Sequence, residues 1–413
     1  MTPISDWPNA IAHIDADCFY ASCEQLRHPG LKGRPVCVLS NQNAFVVAKT
    51  YDAKAKGVTT GMSVWDAKKL VPNAAFLTPD FRYYGQISNK MFSILRRYSP
   101  QVEVYSIDEA FLDMNGIRSL WRKSFRQIAD DIRQAIREEI GITVSVGVSC
   151  TRTLAKISSE SNKPDGSTVI PGRRIARFLA EIPVSDIPGI GRNRTALLEK
   201  FSIRTSLEYA QTDKHMIDRL MGKMGMGLWH ELNGQSVYGL ETEARLPKSV
   251  ARTSSMGQVT TDGNLIEAYL SYHTQRLVSD LVAKNILAQR ITVFLTLETF
   301  EKTGTEIRLV DPTNSLKTVS RAVHKALSAI YQKGQQYRAS GVIATHIVPE
   351  GSATMDLFGE EGDADQKQRE LVQVMGEINR RYGNHSMTSG QASTLGKRKS
   401  DTIRFQYPLI IAR

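Results

Sequence analysis

Asp15, Ala16 and Asp17 close a short apolar run, and Asp108 and Glu109 stand side by side 93 residues after Asp15. Carboxylates from Asp15, Asp108 and Glu109 brought to one point would repel each other, which makes sense if divalent cations sit between them. Mg²⁺ takes oxygen ligands and pairs readily with substrate phosphates. Two such ions about 3.5–4 Å apart would align an attacking hydroxyl and a leaving pyrophosphate for in-line displacement. Plainer roles suit the same residues: Asp15 as cap of a helix starting near Cys18, and Asp108-Glu109 as turn residues. Tyr20 follows one helical turn after the first acids. Its ring either closes the floor beneath a nucleotide sugar or packs as an ordinary core aromatic.

The basic residues fall into sets of their own. Lys156 lies on a helix after the strand that ends at Ser149, and Lys163 ends that helix before a Pro164-Asp165-Gly166 turn. A lysine at a helix end is a compact point charge for a triphosphate, or else a solvated surface group. Lys49, Tyr51 and Lys54 in VVAKTYDAKAKGV form a second candidate phosphate-facing set, or an exposed helix start. In VSDIPGIGRNRTALLEKF the turn Pro188-Gly189-Ile190-Gly191 exposes backbone N–H groups, with Arg192 and Arg194 beside the next helix. Backbone amides, a helix N-terminus and guanidiniums together make a sequence-independent phosphate clamp of helix-hairpin-helix type. A plain turn between helices is the alternative.

The elements that must carry these groups are legible in outline. Residues 10–15 and 36–40 read as strands, and 61–70 and 84–98 have helical spacing. Residues 101–107 and 110–114 read as a hairpin, 121–140 as a long amphipathic helix, and 142–149 as a buried strand. With residues 28–80 set aside as an insertion, the order is β-α-β-β-α-β, the ferredoxin-like arrangement. That topology puts the first strand beside the hairpin at the sheet centre, so the acids converge. Residues 171–237 read as short helices broken by Pro183, Pro188 and glycines, and 238–247 as a linker. A second α+β unit follows over 248–349, with strands at 254–260, 291–299, 306–309 and 341–347 and helices at 265–284 and 315–332. Residues 350–413 form a tail of shifted composition.

Composition bounds the function. The chain has 413 residues, 41% of them hydrophobic, and its 53 Lys+Arg against 42 Asp+Glu leave a net charge of +11. That is enough apolar material for several cores, and the basic surplus favours a polyanionic partner, nucleic acid first. The surplus is concentrated: residues 245–349 hold 13 basic against 7 acidic, and residues 350–370 hold 2 against 7. Four cysteines without CxxC spacing argue against a disulfide scaffold or zinc knuckle and fit a reducing, cytoplasmic location. The N-terminus has no signal-peptide pattern and no run approaches a membrane span.

Four segments in order, IDADCFYASCE, YSIDEAFLDM, LAKISSESNKPDG and DIPGIGRNRTALLEKF, resemble the motifs of Y-family (translesion) DNA polymerases, over residues 10–350. The resemblance implies an α+β multidomain right-hand polymerase. Its ferredoxin-like palm would be residues 1–27 and 81–170, its small fingers 28–80, and its helical helix-hairpin-helix thumb 171–237. After the 238–247 linker come an α+β little finger over 248–349 and a tail over 350–413.

It further implies two Mg²⁺ ions held by Asp15, Asp108, Glu109 and the Ala16 carbonyl, and a sugar-excluding steric gate at Tyr20. Triphosphate contacts would come from Tyr51, Lys54 and Lys163, where Lys54 replaces the arginine often found in the family. DNA contacts would come from Gly189, Gly191, Arg192, Arg194, Lys248 and Arg252. Met355, Asp356, Leu357 and Phe358 resemble a sliding-clamp-binding peptide, with Thr354 where the family pattern begins with Gln. The opening and the tail resemble the bacterial UmuC type, and SNKPDG is more like the DinB branch.

The expected function is template-directed, low-fidelity translesion synthesis from dNTPs on primer-template DNA, in the bacterial cytoplasm at the nucleoid and in SOS mutagenesis. A sliding clamp, a UmuD-type subunit and a RecA-type filament are the partners the resemblance implies. Two other classes stay open on sequence: a non-catalytic polymerase-shaped DNA-binding subunit, and a nucleotidyl cyclase sharing the palm topology.

Overall fold

Strand β1 (Ile11–Ala16) reads IAHIDA and is buried at every position, as expected of a central strand covered on both faces. The computed structural model describes residues 6–40, 43–242, 246–352 and 362–383, with 386–388, 392 and 395 beyond them. The chain divides into two units, Met1–Ala244 and Arg245–Arg413. Met355, Asp356, Leu357 and Phe358 lie outside the described residues.

In the first unit, β1 leads into α1 (Phe19–Arg27) and then a small inserted subdomain. The insertion comprises β2 (Val36–Leu39), β3 (Val46–Lys49), α2 (Tyr51–Ala55), α3 (Val64–Leu70) and β4 (Ala75–Leu77), its sheet ordered β3-β2-β4. Its own core is slight, built on Cys37, Leu39, Val46, Ala53, Val58, Ala67 and Val71. The main sheet then resumes with α4 (Phe81–Leu95), β5 (Val102–Val104), β6 (Glu109–Asp113), α5 (Ile117–Trp121), α6 (Phe125–Glu139) and β7 (Val144–Ser149). Next come α7 (Arg152–Glu160) and β8 (Ser167–Val169).

The main sheet runs β5-β6-β1-β7-β8. Its first four strands have the ferredoxin-like order, and β8 is added parallel to β7. One face is packed by the apolar stripes of α4 and α6, with Met91, Leu95, Ile128, Ile132 and Ile136 against Ile14, Leu112 and Val146.

Two expected elements differ. The helix expected over 121–140 is broken, because Arg122 takes a left-handed backbone (φ 51°) and Ser124 restarts the helix with a capping box to Gln127. A capping box satisfies two end donors at once, so a fresh start outcompetes continuation of α5. Lys163 does not end a helix: α7 stops at Glu160, and Lys163 belongs to the turn beyond it.

Helix α7 packs closely on β7 through Gly147. A Cβ there would lie 2.2 Å from the Ala155 carbonyl oxygen and 2.3 Å from the Ser159 nitrogen. The start of α7 is also tied to the helical region that follows, α8 (Ile175–Ala180), α9 (Arg192–Lys200), α10 (Ser206–Gln211) and α11 (Lys214–Leu232), kinked at Gly222. Glu231 is fully buried and accepts from the Thr153, Val237 and Tyr238 backbone nitrogens at 3.0, 2.8 and 3.1 Å. A carboxylate with that many donors is satisfied, and it joins the helical region to the sheet. All four cysteines are unpaired.

The second unit is an antiparallel sheet ordered β11-β10-β12-β9. Its elements are β9 (Ser249–Thr260), α12 (Gly263–Ala283), β10 (Ile286–Leu297), β11 (Lys302–Thr313), α13 (Leu316–Ile330), β12 (Tyr337–Pro349) and α14 (Gly362–Tyr382). Helices α12 and α13 supply the other half of the core, with Leu277, Val278, Leu281, Val319 and Ala326 against Ile291, Val293 and Val342. Every strand outruns its expected length. In β11, expected over 306–309, most outward residues are exposed and the backbone ladder to β10 holds the strand, so apolar alternation marked only its middle.

Gly147→Ala forces β7 and α7 apart at backbone atoms. We expect a destabilisation of about 2–3 kcal/mol from overpacking, read as a lower melting temperature; an unchanged melt would contradict the packing.

Candidate active site

Asp15 and Glu109 are directly paired residues of the antiparallel β1–β6 ladder, which sets their Cβ atoms about 5 Å apart on one face. The Ala16 nitrogen donates to the Asp108 carbonyl at 3.0 Å, fixing the β5–β6 turn against the end of β1. Ser106 shapes that turn: its hydroxyl bonds the Asp108 carboxylate at 2.5 Å and accepts from the Asp108 nitrogen at 3.2 Å. Asp15 and Glu109 therefore meet across the ladder, and the Asp108 backbone is fixed beside them.

Their charge is answered from one side. The Lys163 ammonium lies 2.6 Å from Asp15 Oδ1 and 2.9 Å from Glu160 Oε1, and the Lys156 ammonium bonds Glu109 Oε1. Burial pushes the Asp15 carboxyl up to about 8, against the pull of Lys163. Burial also works against the Lys163 ammonium, but Asp15 and Glu160 outweigh it and hold its pKa above the ordinary lysine value. His13, two residues before Asp15, is fully buried; burial first, then Lys156, Lys163 and Arg152, keep its imidazole well below its ordinary pKa.

Asp17, the second acid of its run, points elsewhere. It accepts from Ser145 Oγ at 2.9 Å and the Asp165 nitrogen at 2.8 Å, and takes a long bond of 3.5 Å from the Tyr51 hydroxyl. Asp17 therefore anchors the turn that carries Lys163. Gly166 closes that turn, where a Cβ would meet the Asn162 carbonyl oxygen at 1.8 Å.

These groups open on a cleft of about 390 Å³. Asp15, Ala16, Asp108, Tyr20, Tyr51, Lys54 and Lys163 all line it, together with Val47, Ala48 and Lys49 of β3. The Tyr20 ring is held, not loose: it stacks on Tyr84 (centroids 4.7 Å, 17°) and meets Phe81 edge-on at 5.6 Å. Tyr84 is locked in turn by its hydroxyl, which donates to Glu24 at 2.6 Å. Lys54 is exposed, with its ammonium 5.8 Å from the Tyr51 ring centroid. Sequence reasoning named Lys49 and Asp17 but missed His13, Tyr84 and Ser106 as parts of the site. Of these only His13 had a signal, since residue i−2 of a strand shares the face of residue i.

The donor set fits a hard divalent cation. It is oxygen-rich, it faces an open cleft, and the burial that pushes Asp15 up is what a cation's charge would offset. Among the described residues, His13, Asp15 and Glu109 also bring ligand atoms within 4.8 Å of one another.

The clamp residues are placed less uniformly. Gly189 has φ 91°, a left-handed turn that suits glycine. Gly191 precedes α9, and Arg192 opens that helix. Arg194 does not reach outward freely, because its guanidinium donates back to the Gly189 carbonyl at 2.7 Å. In the second unit Lys248 is exposed, whereas Arg252 pairs with Asp280 of α12 and is drawn in along the sheet.

Residues 14–160 match the impB/mucB/samB family, and residues 247–357 match its C-terminal domain. DNA polymerase IV of Moorella thermoacetica is 31% identical over 387 residues, covering 91% of this chain and 94% of that one. The chain belongs to the Y-family of DNA polymerases. DNA polymerase IV 1 of Bacillus subtilis is 29% identical over 398 residues, 95% of this chain and 94% of its own.

Among solved structures, the Y-family chimera Dbh-Dpo4(243-245)-Dbh gives a TM-score of 0.69 at 26% identity, covering 82% of this chain and 99% of that one. DinB from Sulfolobus solfataricus gives 0.57 at 25%, with the same coverage. This Y-family member is a DNA-directed DNA polymerase of the translesion class. Its relatives here carry the DNA polymerase IV and DinB names, not the UmuC name expected from the opening and the tail.

Because the Tyr20 ring is clamped between Tyr84 and Phe81, Tyr20→Ala opens a fixed wall of the cleft. We expect ribonucleotide incorporation relative to deoxynucleotide to rise by about tenfold or more in steady-state assays. Unchanged sugar selectivity would remove Tyr20 from that wall.

Proposed function

We propose that the chain extends a primer 3′-hydroxyl by template-directed transfer from dNTPs, with low fidelity and across damaged templates, using Asp15, Asp108 and Glu109 as catalytic carboxylates. The observation that carries this reading is that Asp15 and Asp108 share one cleft with Tyr20, Tyr51, Lys54 and Lys163, and that Glu109 is the cross-strand partner of Asp15. Two Mg²⁺ ions held by the three carboxylates and the Ala16 carbonyl would supply the charge that activates the primer hydroxyl and neutralises the triphosphate.

The chain's own residues do the rest by positioning and fixed charge. Lys163, which lines the cleft beside Asp15, would bind the triphosphate together with Tyr51 and Lys54 of α2. Lys54 acts as a point charge there rather than a planar fork. Tyr20 excludes a 2′-hydroxyl. Val47 and Ala48 give the nascent base pair a small roof, which supports low fidelity because small side chains police its shape loosely.

The polymerase subdomains follow the boundaries read from the sequence: palm 1–27 and 81–170, fingers 28–80, thumb 171–237, linker 238–247, little finger 248–349 and tail 350–413. The ferredoxin-like sheet, the three-stranded insertion and the four-stranded second unit support them. Gly189, Gly191 and Arg192 grip backbone phosphate, with Lys248 as a second contact. Arg194 serves chiefly to brace the turn, and Arg252 needs to leave Asp280 before it can reach a phosphate.

The names of the relatives and the SNKPDG turn favour the DNA polymerase IV branch over the UmuC type. A bacterial cytoplasmic, nucleoid-associated setting, a role in SOS mutagenesis and a sliding clamp at 355–358 go with this reading. A UmuD-type subunit and a RecA-type filament belong only to the UmuC alternative. No described helix is long and apolar enough to cross a membrane.

Asp108→Ala should abolish magnesium-dependent primer extension while leaving DNA binding measurable by fluorescence anisotropy. Retained extension would sink the catalytic assignment. Arg192→Ala should weaken DNA binding about equally on unrelated sequences and reduce the slope of log affinity against log salt by about 1. A sequence-dependent loss, or an unchanged slope, would remove Arg192 from the phosphate contacts.

A further inference from the structure

His13 has a place in the site that the polymerase reading does not use. It lies two residues before Asp15 on β1, opposite Phe111, so its side chain shares the face that carries Asp15 and Glu109. The imidazole is fully buried and packs on the Phe111 ring at 4.6 Å.

Its tautomer follows from its neighbour. Ser159 Oγ spends its single proton on the Lys156 carbonyl at 2.8 Å, so it must accept the 2.7 Å hydrogen bond from His13. Nδ1 therefore carries the ring proton and Nε2 is a bare lone pair. That atom is buried with no hydrogen-bond partner, and it faces Glu109 Oε1 at 3.9 Å.

A lone pair aimed at a carboxylate is repulsive, and buried polar atoms are normally paired. A shared cation reconciles the two. The His13 Nε2, Asp15 and Glu109 ligand atoms all lie within 4.8 Å of one another. The other ring nitrogen is already committed, as metal-ligating histidines characteristically place it in a hydrogen bond that fixes tautomer and orientation. Ser159 plays that part here.

We propose that His13 Nε2, Asp15 and Glu109 form an inner divalent-metal site with a nitrogen ligand, suited to Mn²⁺, Co²⁺ or Zn²⁺ rather than to Mg²⁺. Imidazole suits those transition ions, and Mg²⁺ is served by oxygen alone. Asp108 is not a member: its carboxylate is outside the group of ligand atoms within 4.8 Å and is held by the Ser106 hydroxyl at 2.5 Å. The Lys156 ammonium, bonded to Glu109 Oε1 in this structure, holds the same ground as the ion and competes with it. Helix α7 thus carries both the residue that prepares the site, Ser159, and the one that guards it, Lys156. This inference rests on the reading of Asp15 and Glu109 as cation ligands and adds a donor that the polymerase reaction does not require.

The test uses the full chain, stripped of metal and loaded with Mn²⁺, with electron spin echo modulation reporting the ligand atoms. Wild-type protein should show coupling to an imidazole ¹⁴N, which needs no variant to observe. His13→Phe should lose that coupling and bind Co²⁺ about tenfold or more weakly by visible absorption titration. Lys156→Met should bind Co²⁺ more tightly, and Asp108→Ala should keep the nitrogen coupling.

Mn²⁺ bound through oxygen alone in the wild type would overturn the inference and leave Asp15 and Glu109 standing as cation ligands. So would nitrogen coupling that survives in His13→Phe. A wild-type protein that binds no Mn²⁺ would overturn both readings.

Discussion

The structure depends on crowding negative charge at the end of one strand pair and then controlling it. Asp15 and Glu109 are cross-strand neighbours, and Asp108 is fixed beside them by the backbone bond to Ala16. Carboxylates so placed favour the unfolded chain unless something cationic compensates. Compensation comes from the opposite layer, where Lys156 and Lys163 are delivered by α7 and the turn after it. Other local features serve that delivery. Gly147 lets α7 approach β7 at backbone distance, Glu231 secures the helix start, and Asp17 with Gly166 fixes the turn that carries Lys163.

The arrangement explains why lysines serve here. An ammonium on a flexible stem can neutralise a carboxylate and then move a few ångströms to a phosphate, which a rigid guanidinium fork does less readily. Under the proposed reading Lys163, which lines the cleft beside Asp15, is the one placed to receive a triphosphate. On the opposite wall the aromatic stack of Tyr20 and Tyr84 is rigid. Under the proposed reading, lysine charge facing a fixed aromatic wall would admit any of several bases while rejecting the wrong sugar.

Much of this was legible in the sequence, and the pattern of success is physical. The β-α-β-β-α-β order is read from periodicities that buried strands and amphipathic helices must show, and it places Asp15 beside Asp108-Glu109 before any coordinate is known. The PGIG turn is legible because left-handed backbone at Gly189 demands glycine. What sequence does not carry is long-range partnership. That Asp17 turns away to hold Asp165, that Arg252 folds back on Asp280, and that Arg194 braces Gly189 are settled by side-chain reach across the fold. Helix ends fail similarly: Arg122 and Ser124 break an apolar pattern that reads unbroken from Trp121. The long edge strand β11 was underestimated because its partner's backbone, not its own side chains, holds it in place.

The central claim is that these carboxylates form a divalent-cation site for templated nucleotidyl transfer. It is tested most directly by single-nucleotide incorporation on a primer-template with one defined templating base, titrating Mg²⁺ from a chelated start. The account predicts no product without the metal and, with it, a primer longer by one nucleotide that follows the identity of the templating base. Extension that persists under chelation, or that ignores the template, would contradict it.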